Sequence, residues 1–306
     1  MYKFLKNVVI ASLPLVLLAT AYASYLATGG QIARNDVKSL IKRLSVSATY
    51  TLTADNNGGD CAKIGIWEDG TSTCKLTDSL ALGDSIYIKD SFVKLDGNNQ
   101  TMEGDGNSIA IHILGSRGVE VYDLKIRGYK QGIFMQNATL AKIRNIDITQ
   151  SEINAMVMLG GSNYNLIEDN RVSHSGLHGI NVGTSHGNRF IGNYATDTRD
   201  GIRLQNSHGN IFIANFFEKN RIEGLDFHSS TENLVFYNRY VDEEIAVISD
   251  LIADVNRYQL DFGGNEYSAY DEPEEGCEDK NSDGFCDAPY KFDGVIDTKP
   301  LVKGSL

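Results

Sequence analysis

From about Gly132 onward, the chain repeats a short pattern of apolar and polar positions. In each repeat a small residue is followed by apolar residues at the first and third positions after it, while the second position varies. This alternation is typical of β-strands, because successive side chains of a strand point to opposite faces. The steps between successive repeats are 23, 24, 22 and 23 residues. The repeats are Gly132–Met135, Ala155–Met158, Gly179–Val182, Gly201–Leu204 and Gly224–Phe227.

A second pattern follows the first within each period. It consists of Ser-x-x-Asn and a further Asn five residues later. Side-chain amides at the same turn of stacked coils can hydrogen-bond to one another at a spacing of about 4.8 Å. We therefore expect these asparagines to have a structural role and not a catalytic one. The sets are Ser162, Asn165 and Asn170; Ser185, Asn188 and Asn193; Ser207, Asn210 and Asn215; and Ser230, Asn233 and Asn238.

A unit of this length with several short strands cannot bury its apolar side chains alone, whereas stacked units can share one core. The sequence therefore predicts an all-β solenoid, a parallel β-helix with coils of about 23 residues over residues 49–262. Residues 24–48 contain Val37, Leu40, Ile41 and Leu44 at helical spacing. They predict either a short capping helix over the first coil or a simple linker. Residues 263–306 are predicted to form an acidic C-terminal tail.

Two segments outside this core pattern indicate a family. The phrase from Leu95 to Gly104, Leu-Asp-Gly-Asn-Asn-Gln-Thr-Met-Glu-Gly, followed by the glycine units and asparagines, resembles NosD-like right-handed parallel β-helix proteins. Asp283 to Tyr290 looks like the Asp-Gly-x-x-Asp-x-Pro-Tyr element that often follows such helices. The broader similarity is to carbohydrate-binding and sugar-hydrolysis β-helix domains. The resemblance implies a right-handed helix, but it leaves function open among polysaccharide enzymes, copper-site accessory proteins and surface proteins.

The amino-acid composition limits the classes of molecule that the protein is expected to bind. Among 306 residues, Lys and Arg number 28 and Asp and Glu number 40, which gives a formal net charge of -12. No basic run is present that would hold a phosphate backbone, so we expect no nucleic-acid partner.

The first 23 residues resemble a secretory signal. They contain Lys3 and Lys6, an apolar stretch from Val8 to Leu18, and Ala21-Tyr22-Ala23 as a cleavage site. We expect a secreted, periplasmic or cell-surface protein without a stable membrane span after cleavage. The alternative is a signal that is retained as an anchor.

Four cysteines occur as two close pairs, Cys61 with Cys74 and Cys277 with Cys286. Export makes disulfides available, so we expect two local bridges, one near each end of the chain. A four-thiolate zinc site is the alternative, but the paired C-x-x-C spacing of such sites is missing.

The outward positions of the repeats become polar and charged toward the later coils. We expect these side chains to form one patch, because equivalent positions of a solenoid stack into columns. Paired titratable groups suit general acid/base catalysis, and a guanidinium can bind the carboxylate of a uronate. The alternative is that these positions are polar because they face water. The candidate catalytic residues are Asp200, Glu223, Asp226 and His228, and the candidate substrate-binding residues are His178, Asn181, Arg203 and Gln205.

The segment Gly224-Leu225-Asp226-Phe227-His228 also resembles the Gly-apolar-Asp-Pro-His motif of mannuronan C5-epimerases. That resemblance implies catalytic roles for Asp226 and His228. This chain differs from the motif in having Phe227 in place of the proline and Glu223 where that family usually has tyrosine.

Two further segments suggest metals. The tail follows the calcium-loop spacing D-x-N-x-D-G-x-x-D, although Tyr290 stands where an EF-hand has its final glutamate. A solvated acidic turn pinned by the second disulfide is the alternative. His186 and His208 lie one period apart, but Thr231 follows in the next coil, so stacking of the turns is favoured over a copper or zinc site. The calcium ligands would be Asp279, Asn281, Asp283, the carbonyl of Phe285, and Asp287.

Together these features predict a protein that binds extracellular polysaccharide or cell-surface glycan, with an activity of the epimerase or lyase type. The first alternative, implied by the resemblance, is a NosD-like accessory protein for a periplasmic copper enzyme, with copper as its metal. The second is a surface or scaffold protein without catalytic activity.

Overall fold

A computed structural model describes residues 47–249, 256–292 and 295–306. The chain divides into two units, residues 1–47 and 48–306, and everything below concerns the second unit. The expected signal at residues 1–23 and the expected capping segment with its helix from Val37 to Leu44 lie outside the described residues.

The described residues form strands almost throughout. Their helical elements are three 3-10 turns, Cys61–Lys63, Asp69–Thr71 and Pro273–Glu275, and none of them is long or apolar enough to cross a membrane. In chain order the strands are β1 (Thr49–Leu52), β2 (Gly65–Glu68), β3 (Thr73–Leu76), β4 (Ser85–Ile88), β5 (Lys94–Asp96), β6 (Thr101–Glu103), β7 (Ile109–Leu114), β8 (Glu120–Arg127), β9 (Gln131–Gln136), β10 (Lys142–Thr149), β11 (Asn154–Leu159), β12 (Leu166–Glu168), β13 (Arg171–Ser173), β14 (His178–Gly183), β15 (Arg189–Ile191), β16 (Tyr194–Thr196), β17 (Asp200–Gln205), β18 (Ile211–Ile213), β19 (Phe216–Glu218), β20 (Glu223–His228), β21 (Leu234–Phe236), β22 (Arg239–Val241), β23 (Ile245–Ser249), β24 (Glu266–Tyr267), β25 (Tyr290–Phe292) and β26 (Val295–Asp297).

Two long sheets run along the molecule. Sheet A has nine strands in the order β1-β4-β7-β9-β11-β14-β17-β20-β23, and its neighbouring strands pair in parallel. Sheet B has fifteen strands, which are parallel except for the entry hairpin β2-β3. Register pairs Ile133 with Met156, Met156 with Ile180, Ile180 with Ile202, and Ile202 with Leu225, which reproduces the steps read from the sequence. The prediction of an all-β, right-handed parallel β-helix with coils of about 23 residues is confirmed.

The core is the apolar column between the sheets. In the glycine units, the residues at the first and third positions after the glycine are fully buried, as expected from the pattern. Aromatic rings continue the column, with Phe190 stacked on Phe212 at 4.8 Å between ring centroids. Burial of each such side chain stabilises the fold by about 1.5–3 kcal/mol. Because side chains of neighbouring coils stack directly on one another, the coils share one continuous core. The buried pairs are Ile180 and Val182, Ile202 and Leu204, and Leu225 and Phe227.

The asparagines form two hydrogen-bonded ladders along the helix. In each rung the side-chain Nδ2 donates to Oδ1 of the next coil, as from Asn188 to Asn210 at 3.1 Å, and that Oδ1 also accepts the backbone N–H. The expected structural role is therefore confirmed. The second ladder continues through Asn238 and Asn265 to Asp297, and β24 pairs with β22, so coil stacking extends past residue 262 into the tail. The ladders are Asn165, Asn188, Asn210, Asn233 and Asn256, and Asn170, Asn193, Asn215, Asn238 and Asn265.

Both expected disulfides are present, Cys61–Cys74 with Cα atoms 5.7 Å apart and Cys277–Cys286 with Cα atoms 4.7 Å apart. Neither pair is available for a thiolate zinc site. Disulfides persist in oxidising compartments, so these two bridges indicate a location outside the cytoplasm.

Candidate functional site

Three glycines of sheet A lie in one file and shape its outer face. A Cβ added to Gly179 would lie 2.4 Å from the carbonyl oxygen of Gly201, and one added to Gly201 would lie 2.5 Å from that of Gly224. The same added atoms would also meet core side chains, as at Gly201, where Phe217 Cδ1 would be 2.6 Å away. Each glycine therefore faces the core, and the residue after it does so too. This interrupts the alternation of the strand.

The interruption places the residue before each glycine on the outer face. His178, Asp200 and Glu223 pair in register there, and strict alternation would have turned them inward. Beside this column, Asn181, Arg203 and Asp226 form a second, and Gly183, Gln205 and His228 a third. All eight candidate residues therefore lie on adjacent strands β14, β17 and β20.

Three carboxyl groups converge at the centre of this surface. Asp200, Glu223 and Asp226 each have a carboxyl oxygen within 4.8 Å of the others, and no other group of three or more His, Cys, Asp or Glu side chains in the described parts of the chain is this close. Their exposed fractions are only 0%, 9% and 8%. We call these three residues the carboxyl cluster.

Basic groups surround the carboxyl cluster. His178 Nδ1 lies 2.6 Å from Asp200 Oδ2, and Arg203 Nε lies 3.3 Å from Asp226 Oδ2. Arg199 Nε lies 3.7 Å from Asp200 Oδ1. Sequence reasoning missed Arg199, because it stands two residues before its glycine and belongs to none of the three columns.

The surroundings push the pKa values of two neighbouring carboxyls in opposite directions. Burial, together with the hydrogen bond and negative charge of Asp200, raises the pKa of Glu223 to about 8. Burial also acts to raise the pKa of Asp200, but hydrogen bonds from His178 and Glu223 and the charge of Arg199 outweigh it and lower that pKa. Near neutral pH, Glu223 therefore holds a proton that it donates to the Asp200 carboxylate.

Asp226 has a third environment. Burial raises its pKa, and the nearby Arg203 and His228 only partly offset this effect. A carboxylate with a raised pKa is a stronger base than an ordinary surface carboxylate. The cluster thus combines a protonated acid, an ionised carboxylate and a strengthened base.

The edge of this site is open. Gln205 and His228 are exposed, and Asn181 is half-buried. The side chain of Arg203 keeps 24% of its surface exposed beside Asp226. A ligand on the outer face of sheet A would meet these four polar groups before it reached the carboxyl cluster.

The two histidines of the Ser-x-x-Asn turns lie apart from this site. Their rings stack with centroids 5.2 Å apart and planes within 5° of each other. His186 Nδ1 accepts the backbone N–H of His208, and His208 Nδ1 lies 2.8 Å from Thr231 Oγ1. This arrangement agrees with the interpretation that the histidines stack the turns.

The acidic loop of the tail is held by its own backbone. Asp279 accepts the N–H groups of Asp283 and Gly284, and Asp283 accepts the N–H of Phe285. Asp287 accepts the N–H of Lys280. Calcium binding by this loop remains a prediction.

Comparison with known proteins gives a family and several similar structures. A family model described as NosD, periplasmic copper-binding protein, matches residues 68–272. No curated protein matches the sequence. A DFA-IIIase from Arthrobacter chlorophenolicus A6 is 13% identical with a TM-score of 0.47, over 60% of this chain and 49% of its own, so this chain spans about half of that protein. The periplasmic alginate epimerase AlgG is 11% identical with a TM-score of 0.47, over 76% of this chain and 75% of its own. An alginate lyase from Paenibacillus sp. str. FPU-7 is 13% identical with a TM-score of 0.41, over 63% and 91% of the two chains.

The described side chains do not suit copper. Copper favours thiolate, thioether and imidazole ligands, whereas carboxylates suit harder cations. All four cysteines are in disulfides, and the four described methionines, Met102, Met135, Met156 and Met158, are fully buried in the core. The stacked histidines use both Nδ1 atoms in hydrogen bonds, and no third imidazole or sulfur donor joins them in a group within the described residues. We therefore derive no chemistry through copper.

Proposed function

We propose that this chain, a member of the NosD family of β-helix proteins, binds an extracellular polysaccharide on the outer face of sheet A and performs acid/base chemistry on it, of the epimerase or lyase type. The observation that carries the proposal is the carboxyl cluster, in which buried carboxyl groups lie within 4.8 Å and have pKa values shifted in opposite directions. Neighbouring titratable groups with separated pKa values are the hallmark of acid/base assignments.

The surface around the cluster supports a sugar polymer as the ligand. Asn181, Gln205 and His228 offer hydrogen-bond donors and acceptors along three adjacent coils. The guanidinium of Arg203 has five N–H donors, so it can keep its contact with Asp226 and still bind a uronate carboxylate bidentately. A local positive group of this kind is needed, because the chain as a whole is negatively charged.

The proposed reaction begins at the carbon next to the uronate carboxyl group. Asp226 removes the proton from that carbon, and the electron pair of the broken C–H bond moves into the carboxyl group. Arg203 stabilises the charge that develops there, and the protonated Glu223 redirects its one O–H from Asp200 to the same carboxyl oxygens. His228 then donates a proton to the opposite face of that carbon, which gives the epimer, and exchange with solvent removes the proton from Asp226 and restores the one on His228. Departure of the 4-linked oxygen with its bonding electrons, and protonation of that oxygen by His228, gives the lyase product.

Asp200 and His178 have a supporting role in this scheme. Asp200 has no exposed surface, so it does not touch the substrate. Its carboxylate keeps the proton on Glu223, and His178 at 2.6 Å holds that carboxylate in place. We therefore assign Asp200 and His178 as positioning residues, with Asp226, Glu223 and His228 as the catalytic residues.

The test uses a panel of uronate and neutral polysaccharides in D2O. An epimerase incorporates deuterium into the sugar, which mass spectrometry detects, and a lyase forms unsaturated chain ends, which absorb in the ultraviolet. We expect Glu223→Gln and Asp226→Asn each to lower the rate by about 100-fold, since a positioned acid or base contributes 10²–10⁴-fold. The wild-type rate falls as pH rises through about 8, because Glu223 loses its proton there.

Glu232→Gln is the matched control. Glu232 is an exposed carboxylate that follows β20, outside the three columns, so its substitution leaves the rate unchanged. Thermal unfolding of each variant separates a lost function from a lost fold. The proposal fails if the panel shows neither binding nor turnover, or if the three variants have equal rates.

A further inference from the structure

A groove lies at the corner where the chain leaves sheet B and enters sheet A. It has a volume of about 540 Å³, and all of its lining residues are polar or glycine. Gln150, His174 and Asp197 occupy equivalent corner positions of successive coils, each with positive φ. We call this feature the corner groove. None of the residues proposed above for catalysis or binding lines it.

The groove arises from a difference in coil length. Three residues lie between Gln150 and Asn154, and three between His174 and His178, but only two between Asp197 and Asp200. In the next coil three residues again lie between Lys219 and Glu223. One coil therefore lacks a residue that its neighbours have. Arg221 spans this gap, and its Nη2 donates to the carbonyl oxygen of Gly176, two coils away, at 2.7 Å.

Two serine hydroxyls at the groove have no partner. Ser151 and Ser175 line it with exposed fractions of 3% and 2%, and neither hydroxyl has a hydrogen-bond partner among the described residues. In the neighbouring coils the equivalent side chains are paired, since Thr198 Oγ1 donates to Asn220 Oδ1 at 2.7 Å. An unpaired buried hydroxyl destabilises a protein, so a water or a ligand group that pairs with these two would stabilise it.

The charges of the groove define the class of this ligand. Glu152 and Asp197 supply two carboxylates against the one guanidinium of Arg221, which is already engaged with a backbone carbonyl. Such a lining disfavours an anion such as phosphate. It suits a ligand whose hydroxyls donate to carboxylates and accept from serine, and no apolar side chain is present to hold a hydrophobic group.

The groove also adjoins the carboxyl cluster. Asp197 precedes Asp200 by three residues and Arg221 precedes Glu223 by two, so the Cα atoms of each pair are at most roughly 7–11 Å apart. We infer that the corner groove is a subsite that binds a neighbouring sugar unit of the same polysaccharide through its hydroxyl groups. This inference rests on the proposed function, because it takes the polymer at the carboxyl cluster as the ligand.

The experiment measures binding by calorimetry, with cello-oligosaccharides and oligomannuronates of two to six units as probes. Wild-type affinity is expected to increase with length as the chain reaches the groove. In Asp197→Asn that increase is about tenfold smaller, which is the effect of losing a hydrogen bond to a charged group.

Two further variants sharpen the test. Asp242→Asn makes the same change at an exposed corner position that also has positive φ but lies outside the groove, so its affinities match those of the wild type. Ser175→Ala removes an unpaired hydroxyl, and we expect the free protein to remain as stable as the wild type while binding long oligosaccharides less tightly.

The outcomes separate the two proposals. If Asp197→Asn behaves like Asp242→Asn while long oligosaccharides still bind and Glu223→Gln still lowers turnover by about 100-fold, the subsite is refuted and the proposed function stands. If no oligosaccharide binds to the wild-type protein, both are refuted.

Discussion

Removal of one rung from an asparagine ladder tests the main structural claim. Asn210 is fully buried and makes four hydrogen bonds through its side chain. Its Oδ1 accepts the backbone N–H of Asn188 at 2.9 Å and the side-chain N–H of Asn188 at 3.1 Å. Its Nδ2 donates to Asn233 Oδ1 at 3.1 Å and to the carbonyl oxygen of Ser185 at 3.4 Å. Asn210→Ala breaks all four.

The size of the effect follows from the groups that lose their partners. The substitution leaves two donors on Asn188 without an acceptor, at a residue with 0% exposure. Each unpaired buried group costs about 1–3 kcal/mol, so we expect the free energy of unfolding to decrease by about 2–6 kcal/mol. That is a large part of the roughly 5–15 kcal/mol that stabilises an ordinary domain.

Urea unfolding of the purified protein measures this change. Circular dichroism follows all coils, while the single tryptophan, Trp67, reports on the first coil. Coincident transitions would show that the solenoid unfolds as one unit. Gln205→Ala truncates an exposed amide of the same coil and is expected to change the free energy by less than about 0.5 kcal/mol. A decrease below about 1 kcal/mol for Asn210→Ala would refute the reasoning, since the orphaned donors would then have found other partners.

Three other outcomes are expected. Gly201→Ala destabilises the fold by about 1–3 kcal/mol in urea unfolding, because its Cβ would lie 2.5 Å from the Gly224 carbonyl oxygen. Gly70→Ala has open space around it and leaves the stability unchanged. Equal effects of the two substitutions would contradict the close stacking of the three glycines of sheet A. Burial raises the pKa of Glu243 from 4.5 to about 8, so the stability from its protonated form is complete below about 4.5 and is lost as pH rises toward 8. Glu243→Gln therefore flattens the dependence of melting temperature on pH in this window, and an unchanged profile would argue against a half-buried, protonated Glu243. A calcium chelator lowers the melting temperature if the loop of Asp279 and Asp283 binds the ion, since binding to the folded form adds stability, and identical curves with and without chelator would remove that prediction.

Much of the fold was contained in the repeat. A step of 22 to 24 residues fixes which side chains stack, so the buried apolar pairs and both asparagine ladders followed from the sequence alone. The local disulfides followed from the close spacing of the cysteines. These features depend on periodicity, which one sequence displays fully.

The candidate site was predictable in its membership but not in its geometry. The pattern placed Asp200, Glu223 and Asp226 on neighbouring coils, and they do converge. Strict alternation, however, would have turned Asp200 and Glu223 inward. The glycine after each of them faces the core and reverses this direction, a local effect that depends on the room that Phe217 and Tyr240 leave.

The corner groove was missed for a different reason. A coil shortened by one residue appears in the sequence only as a step of 22 in place of 23, and steps of both lengths are compatible with ordinary turns. Only the packing shows that the missing residue falls between Asp197 and Asp200, and that Arg221 reaches across the gap to Gly176.

The asparagine ladders have a direction, since every amide donates toward the C-terminal coil. Whole coils can therefore be duplicated or deleted by recombination, because each new neighbour still offers an acceptor to the donor below it. The last donor has no such successor, and in the second ladder Asp297 receives it with a carboxylate that only accepts. A truncation just before Asp297 would remove this acceptor and expose the open end of the stack to other chains.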